Sequence, residues 1–128
     1  MKTVTFRIRP DKKGKWKRGG GYFDVWIFPT QKGVRNAYRN FNPRGQWRDV
    51  RAFCRRLNDG NLIGVIVYPR GTGAGVVAHE ATHAAVDFVA WDLRRRDVPS
   101  MDVEPICQAV GNIVRELTVG FYKHGVWK

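Results

Sequence analysis

Between Thr3 and Arg9 apolar and polar positions alternate. Val4, Phe6 and Ile8 share one face, and Thr3, Thr5, Arg7 and Arg9 share the other. A period of two predicts a half-buried strand over 3–9. The stretch 10–21 has no period and is rich in Lys and Gly, so it reads as an exposed loop. Residues 22–28 (YFDVWIF) form a second strand, stopped by Pro29. From Thr30 to Phe41 the spacing becomes helical, with Thr30 as N-cap and Val34, Ala37, Tyr38 and Phe41 on one side. Pro43 and Gly45 break the chain. Over 46–58, Trp47, Val50, Phe53, Cys54 and Leu57 recur at spacings of three and four, which predicts an amphipathic helix. Asp59-Gly60-Asn61 supplies turn chemistry, and the β-branched run 62–68 suits a buried strand ended by Pro69. After the loop RGTGAG come two longer helices, about 74–96 and 103–121. Pro99 and Ser100 separate them, and Asp102 is the N-cap of the second.

The second long helix presents Ile106, Ala109, Val110, Ile113, Val114 and Leu117 as a core stripe. Its mid-helix Gly111 costs about 1 kcal/mol relative to Ala, so a close helix crossing is expected there. With 128 residues, 43% hydrophobic, and neither repeat nor linker, the chain reads as a single α+β domain, 1–128.

Charge changes this picture. The formal net charge is +12, and residues 1–70 hold seventeen Lys and Arg against four acids, while 71–128 hold six against seven. A basic first half suits a polyanion, either nucleic acid or an acidic protein partner, with a merely solvated face as the plain alternative. Lys12, Lys13, Lys15, Lys17 and Arg18 surround Trp16 in the Gly-rich loop, a mix able to hold phosphates and stack a base. Arg48, Arg51, Arg55 and Arg56 form a second stripe if 46–58 is helical. Cys54 and Cys107 cannot build a disulfide scaffold; they read as buried apolar residues in a reducing, cytoplasmic setting. No apolar run is long enough to span a membrane, and the N-terminal stretch has no apolar signal region.

The first long helix contains His79-Glu80-Ala81-Thr82-His83, or HExxH. Positions four apart lie one above the other on a helix, so His79 and His83 can present two imidazoles to one tetrahedral ion. Glu80 then projects beside the ion as a general base. A catalytic zinc site needs a third protein donor. Glu104, in the first turn of the next helix, is the expected one, with Asp102 and His124 as alternatives. Asp87, eight residues after His79, is placed to orient an imidazole.

The segment Val77-Ala78-His79-Glu80-Ala81-Thr82-His83-Ala84 resembles the active-site helix of zincin metallopeptidases. The later Asp102-Val103-Glu104-Pro105 is similar to the gluzincin arrangement, in which a downstream helix supplies the third ligand as Glu. The resemblance covers roughly 62–121 and extends to compact single-domain proteins of phage and bacteria, including the SprT-like group. It implies a minimal zincin, a small, mostly antiparallel sheet of three to four strands packed on the HExxH helix and a second supporting helix. Leu62–Tyr68 would be the edge strand to which peptides add. The metzincin extension is absent, because Val86 and Val89 occupy its Gly and third-His positions.

The implied activity is peptide-bond hydrolysis of a peptide or protein substrate. Zn²⁺ would rest on His79, His83 and Glu104, and Glu80 would take a proton from the bound water and return it to the leaving amine. Tyr122, His124 and Arg115 are oxyanion-donor candidates. The alternative function is a basic nucleic-acid-binding or partner-inhibiting module whose metal site is structural or vestigial.

Overall fold

A computed structural model describes residues 2–11, 16–96 and 103–128. Both strands expected at the start of the chain are realised: β1 (Val4–Ile8), with its alternation, and β2 (Tyr22–Phe28) pair antiparallel, with Phe6 opposite Val25 and Ile8 opposite Phe23. Thr30 caps α1 (Gln31–Phe41), its hydroxyl accepting from the Gly33 N–H at 3.2 Å. β3 (Phe53–Asp59) and β4 (Leu62–Pro69) form a hairpin in which Asp59 pairs with Leu62 across Gly60-Asn61. Gly60 takes φ +61°, a conformation costly for residues with a Cβ. Then come α2 (Ala74–Asp92) and α3 (Val103–Lys123).

The strand order is β1-β2-β4-β3, and β2 and β4 run parallel. The fold is therefore α+β with a mixed four-stranded sheet, which corrects the expected mostly antiparallel one. β4 is bordered by β2 and β3 and is not an edge strand; the edges are β1 and β3. Burial explains the placement. Ile63, Val65, Ile66, Val67 and Tyr68 are all buried, so β4 is apolar on both faces and needs cover on both. α2 lies over β3 and β4, and α3 crosses β1 on the same side. Phe23, Val25, Ile27, Ile66, Phe88, Ile113 and Leu117 fill that layer. The other layer, beneath α1, is smaller and holds Val34, Ala37, Phe53, Val65 and Val67.

Four further expectations are corrected. The stretch 46–58 is not a helix; only its last part is regular, and it is a strand. Its helical spacing coexists with an alternation, Phe53 and Arg55 against Cys54 and Arg56, and the turn at 60–61 together with the exposed edge of β4 selects the second pattern. The arginine stripe consequently splits, with Arg55 bonding Asn42 on one face and Arg56 bonding Asp87 on the other. The first long helix ends at Asp92, and Arg94 turns to φ +56°. The close approach on α3 is at Gly120, where a Cβ would collide with the Phe6 ring, while at Gly111 a Cβ would meet nothing. Cys107 is exposed rather than buried. The expected core stripe of α3 holds, with Ala109, Ile113 and Leu117 buried. Asp102, the expected N-cap of that helix, lies outside the described residues.

Candidate functional site

α2 carries the HExxH segment over the β3 edge of the sheet. Its inner face is built from Val77, Ala81, Ala84, Ala85 and Phe88, all buried. Small alanines let the helix sit close to the strands, and the Tyr68 hydroxyl fixes its first turns by donating to the Val77 carbonyl at 3.1 Å. Opposite this packed face, His79 and His83 lie outside. Their ring centroids are 4.9 Å apart and the planes cross at 75°. The His79 side chain is 70% exposed, so a solute can reach it.

Glu80 faces the other way. It is 6% exposed, with Oε1 3.9 Å from His79 Nε2. Burial raises its pKa, and His83 and His79 pull it back down. A carboxylate poised in this manner holds a proton at higher pH than a solvated one.

Around Glu80 the strands add groups that the helix alone does not reveal. Cys54, on β3, donates its thiol toward Asp87 Oδ2 at 3.7 Å. Burial, followed by the Asp87 and Glu80 carboxylates, pushes that thiol well above its usual value. Arg56 clasps Asp87 Oδ1 through Nε at 3.0 Å and Nη2 at 2.8 Å, and its Nη1 donates to the Arg96 carbonyl at 2.6 Å. Asp87 is thus committed to β3 and not to an imidazole. Eight residues at 3.6 per turn leave it about 80° round the helix from His79, toward the sheet. Cys54 and Arg56 were legible only through the two-residue alternation of β3, which the helical reading of 46–58 masked.

The remaining expected residues do not gather at the imidazole pair. Glu104 is exposed in the first turn of α3. The other end of α3 is the one near the start of α2, since the Trp127 indole N–H donates to the Thr72 carbonyl and Phe121 packs on Tyr68. Sixteen residues of helix separate Glu104 from Gly120, about 24 Å of rise. Among the described residues no group of three His, Cys, Asp and Glu side chains is arranged to hold one ion. His124 stacks on Phe6 of β1 with centroids 5.0 Å apart, and Tyr122 is exposed beside Trp127. β1 is the far edge of the sheet, three strand spacings or roughly 14 Å from β3. Arg115 reaches only Asn112, at 3.4 Å.

In the basic loop, Trp16 packs edge-on against Phe88 with centroids 4.9 Å apart. The Arg18 guanidinium lies over Trp91 and donates to the Trp91 carbonyl at 3.3 Å, while its backbone N–H bonds Asp92. These two side chains anchor the end of α2. Lys17 is exposed, and Lys12, Lys13 and Lys15 lie outside the described residues. No helix among the described residues is long and apolar enough to cross a membrane.

Comparison of the chain with protein-family models, with curated proteins and with solved structures gives no match.

Proposed function

We propose that this chain is a zinc-dependent metallopeptidase in which His79 and His83 are two of the metal's protein donors and Glu80 is the general base. The observation that carries the reading is the pairing of two solvent-facing imidazoles, one helical turn apart, with a buried carboxylate of raised proton affinity between them and the sheet. Imidazole nitrogens suit zinc, and both side chains sit on the first half of α2. When bound, zinc supplies Lewis acidity and brings the pKa of a coordinated water near neutrality.

The chain's own residues supply the rest. Glu80, with Oε1 3.9 Å from His79 Nε2, takes the proton from the attacking water and delivers it to the leaving amine. Its burial raises the pKa above that of a solvated carboxylate, which favours holding the proton between the two transfers. Arg56 and Asp87 hold β3 against α2, so the helix and the strand edge keep a fixed distance. The free edge of β3, and not Leu62–Tyr68, is where an extended peptide substrate adds its main-chain hydrogen bonds.

The test is metal content and peptidase activity on the same preparations. His79→Ala should lose the bound zinc. Glu80→Gln should keep it and lose hydrolysis by about 10²–10⁴-fold. Alanine at Glu104 or His124, neither of which lies at the imidazole pair, should leave zinc bound, and loss of zinc from a folded Asp102→Ala variant would identify the third donor. Wild-type protein that stays metal-free after incubation with zinc overturns the reading, as does undiminished hydrolysis by Glu80→Gln.

A further inference from the structure

The sheet face opposite α2 and α3 is only partly covered. α1 packs on β4 and β2 there, and β1 lies beyond β2 in the sheet. The β2 residues that alternate toward this face are Tyr22, Asp24, Trp26 and Phe28, and none of them is fully buried. Beside them the register sets Thr5 of β1 next to Trp26, and Arg7 next to Asp24. Between this strip and α1 runs a groove of about 360 Å³ floored by Trp26, Phe28 and Phe41. Trp26 stacks on Phe41 with centroids 6.0 Å apart, and Phe28 meets Trp26 edge-on. Asn36 and Asn40, both exposed, stand on the α1 wall, and they also line a second, neighbouring hollow together with Arg39.

Three kinds of group therefore adjoin along α1: flat aromatic surface, side-chain amides with donors and acceptors, and guanidinium charge. Arg39 also lies over the Trp47 ring, 4.6 Å from its centroid, with Arg48 on the same ring at 5.6 Å. The charge here is one-sided. Residues 22–49 contain five Lys and Arg against two acids, Asp24, which Arg7 accompanies at 3.6 Å, and Asp49 beyond the groove; α1 contains no acid at all.

We propose that this groove binds single-stranded nucleic acid. A base stacks on Trp26, the Asn36 and Asn40 amides bond base edges, and Arg39 contacts the backbone phosphate. Stacking needs unpaired bases, because in a duplex the faces are already occupied by neighbouring bases. A carboxylate-rich peptide would answer to the arginines but leaves the ring floor and the amides without a counterpart. The surface lies across the sheet from His79 and His83, so it is independent of the metal reading.

The experiment is fluorescence anisotropy with a labelled oligothymidine at several salt concentrations, on the full chain. Wild type is expected to bind the single strand, with affinity falling as salt rises. Trp26→Ala should weaken binding by about five- to a hundredfold, and Trp26→Phe should restore most of it. Asn40→Asp, at an exposed position that leaves the fold intact, should also weaken binding and decides the matter if Trp26→Ala does not fold. Chelating agents should leave the affinity unchanged. Equal binding by wild type, Trp26→Ala and Asn40→Asp overturns the proposal. So does displacement by duplex DNA, heparin or polyglutamate as effective as displacement by unlabelled single strand.

Discussion

Asp87 and Cys54 show how single residues are tuned by what the neighbouring strand brings. Asp87 is 16% exposed at its side chain and relies on Arg56 for both charge and hydrogen bonds. Arg56→Met keeps much of the packing stem but strands the carboxylate, an uncompensated and mostly buried charge. We expect a loss of about 2 kcal/mol in chemical denaturation. An unchanged midpoint would mean that water replaces the guanidinium at no cost. Cys54 offers a pH-dependent readout. Its folded pKa is raised by burial and by the Asp87 and Glu80 charges, so the thiol stays protonated where an ordinary thiol ionises. The thiolate is the reactive form. Alkylation of native protein at pH 8 should therefore label exposed Cys107 quickly and Cys54 only after denaturation, as peptide mapping reads directly. By linkage, a raised folded pKa stabilises the fold below the unfolded value and loses that contribution as pH rises above it. Cys54 accordingly adds to alkaline instability, and Cys54→Ala should lessen the decline in thermal midpoint above pH 9.

At the scale of elements, the hairpin β3–β4 and the contact of α3 with β1 decide the architecture. The stretch 46–58 satisfies a helical spacing, yet a helix there would leave the second edge of β4 unpaired. Buried backbone groups demand partners, and that demand outweighs a local periodicity. α1, by contrast, needs no such arbitration, because cap, apolar stripe and terminating Pro43 all agree in sequence. On α3 the decisive residue is Gly120, which lets the helix approach the Phe6 ring. Gly120→Ala should destabilise by about 1–3 kcal/mol through overpacking, while Gly111→Ala, in open space, should be neutral or stabilising. Equal effects at the two glycines would show that α3 does not depend on this approach.

Across the whole molecule, the C-terminal residues close the α2–α3 layer. Trp127 packs against Phe121 with centroids 4.9 Å apart and donates to the Thr72 carbonyl, just ahead of α2. Trp127→Ala should cost about 2 kcal/mol, a fall of about 5–10 °C in thermal midpoint by calorimetry. The excess of positive charge is a whole-molecule property as well. Part of it is engaged with α2, at Arg18 and Arg56, and part lies exposed, as at Arg39 and Arg48 around Trp47.

Local chemistry alone determined the first two strands, the capped α1, the apolar β4 and the two long helices. Each is written in a short window by periodicity, a cap or a turn residue. Within the candidate site the same holds for the spacing of His79, Glu80 and His83, because helix geometry fixes positions four apart. The parallel pairing of β2 with β4, the interior place of β4, the clasp of Arg56 on Asp87 and the distance of Glu104 from the imidazoles belong to the tertiary structure. They depend on which buried edges find partners, a competition among segments far apart in the chain that no single window encodes.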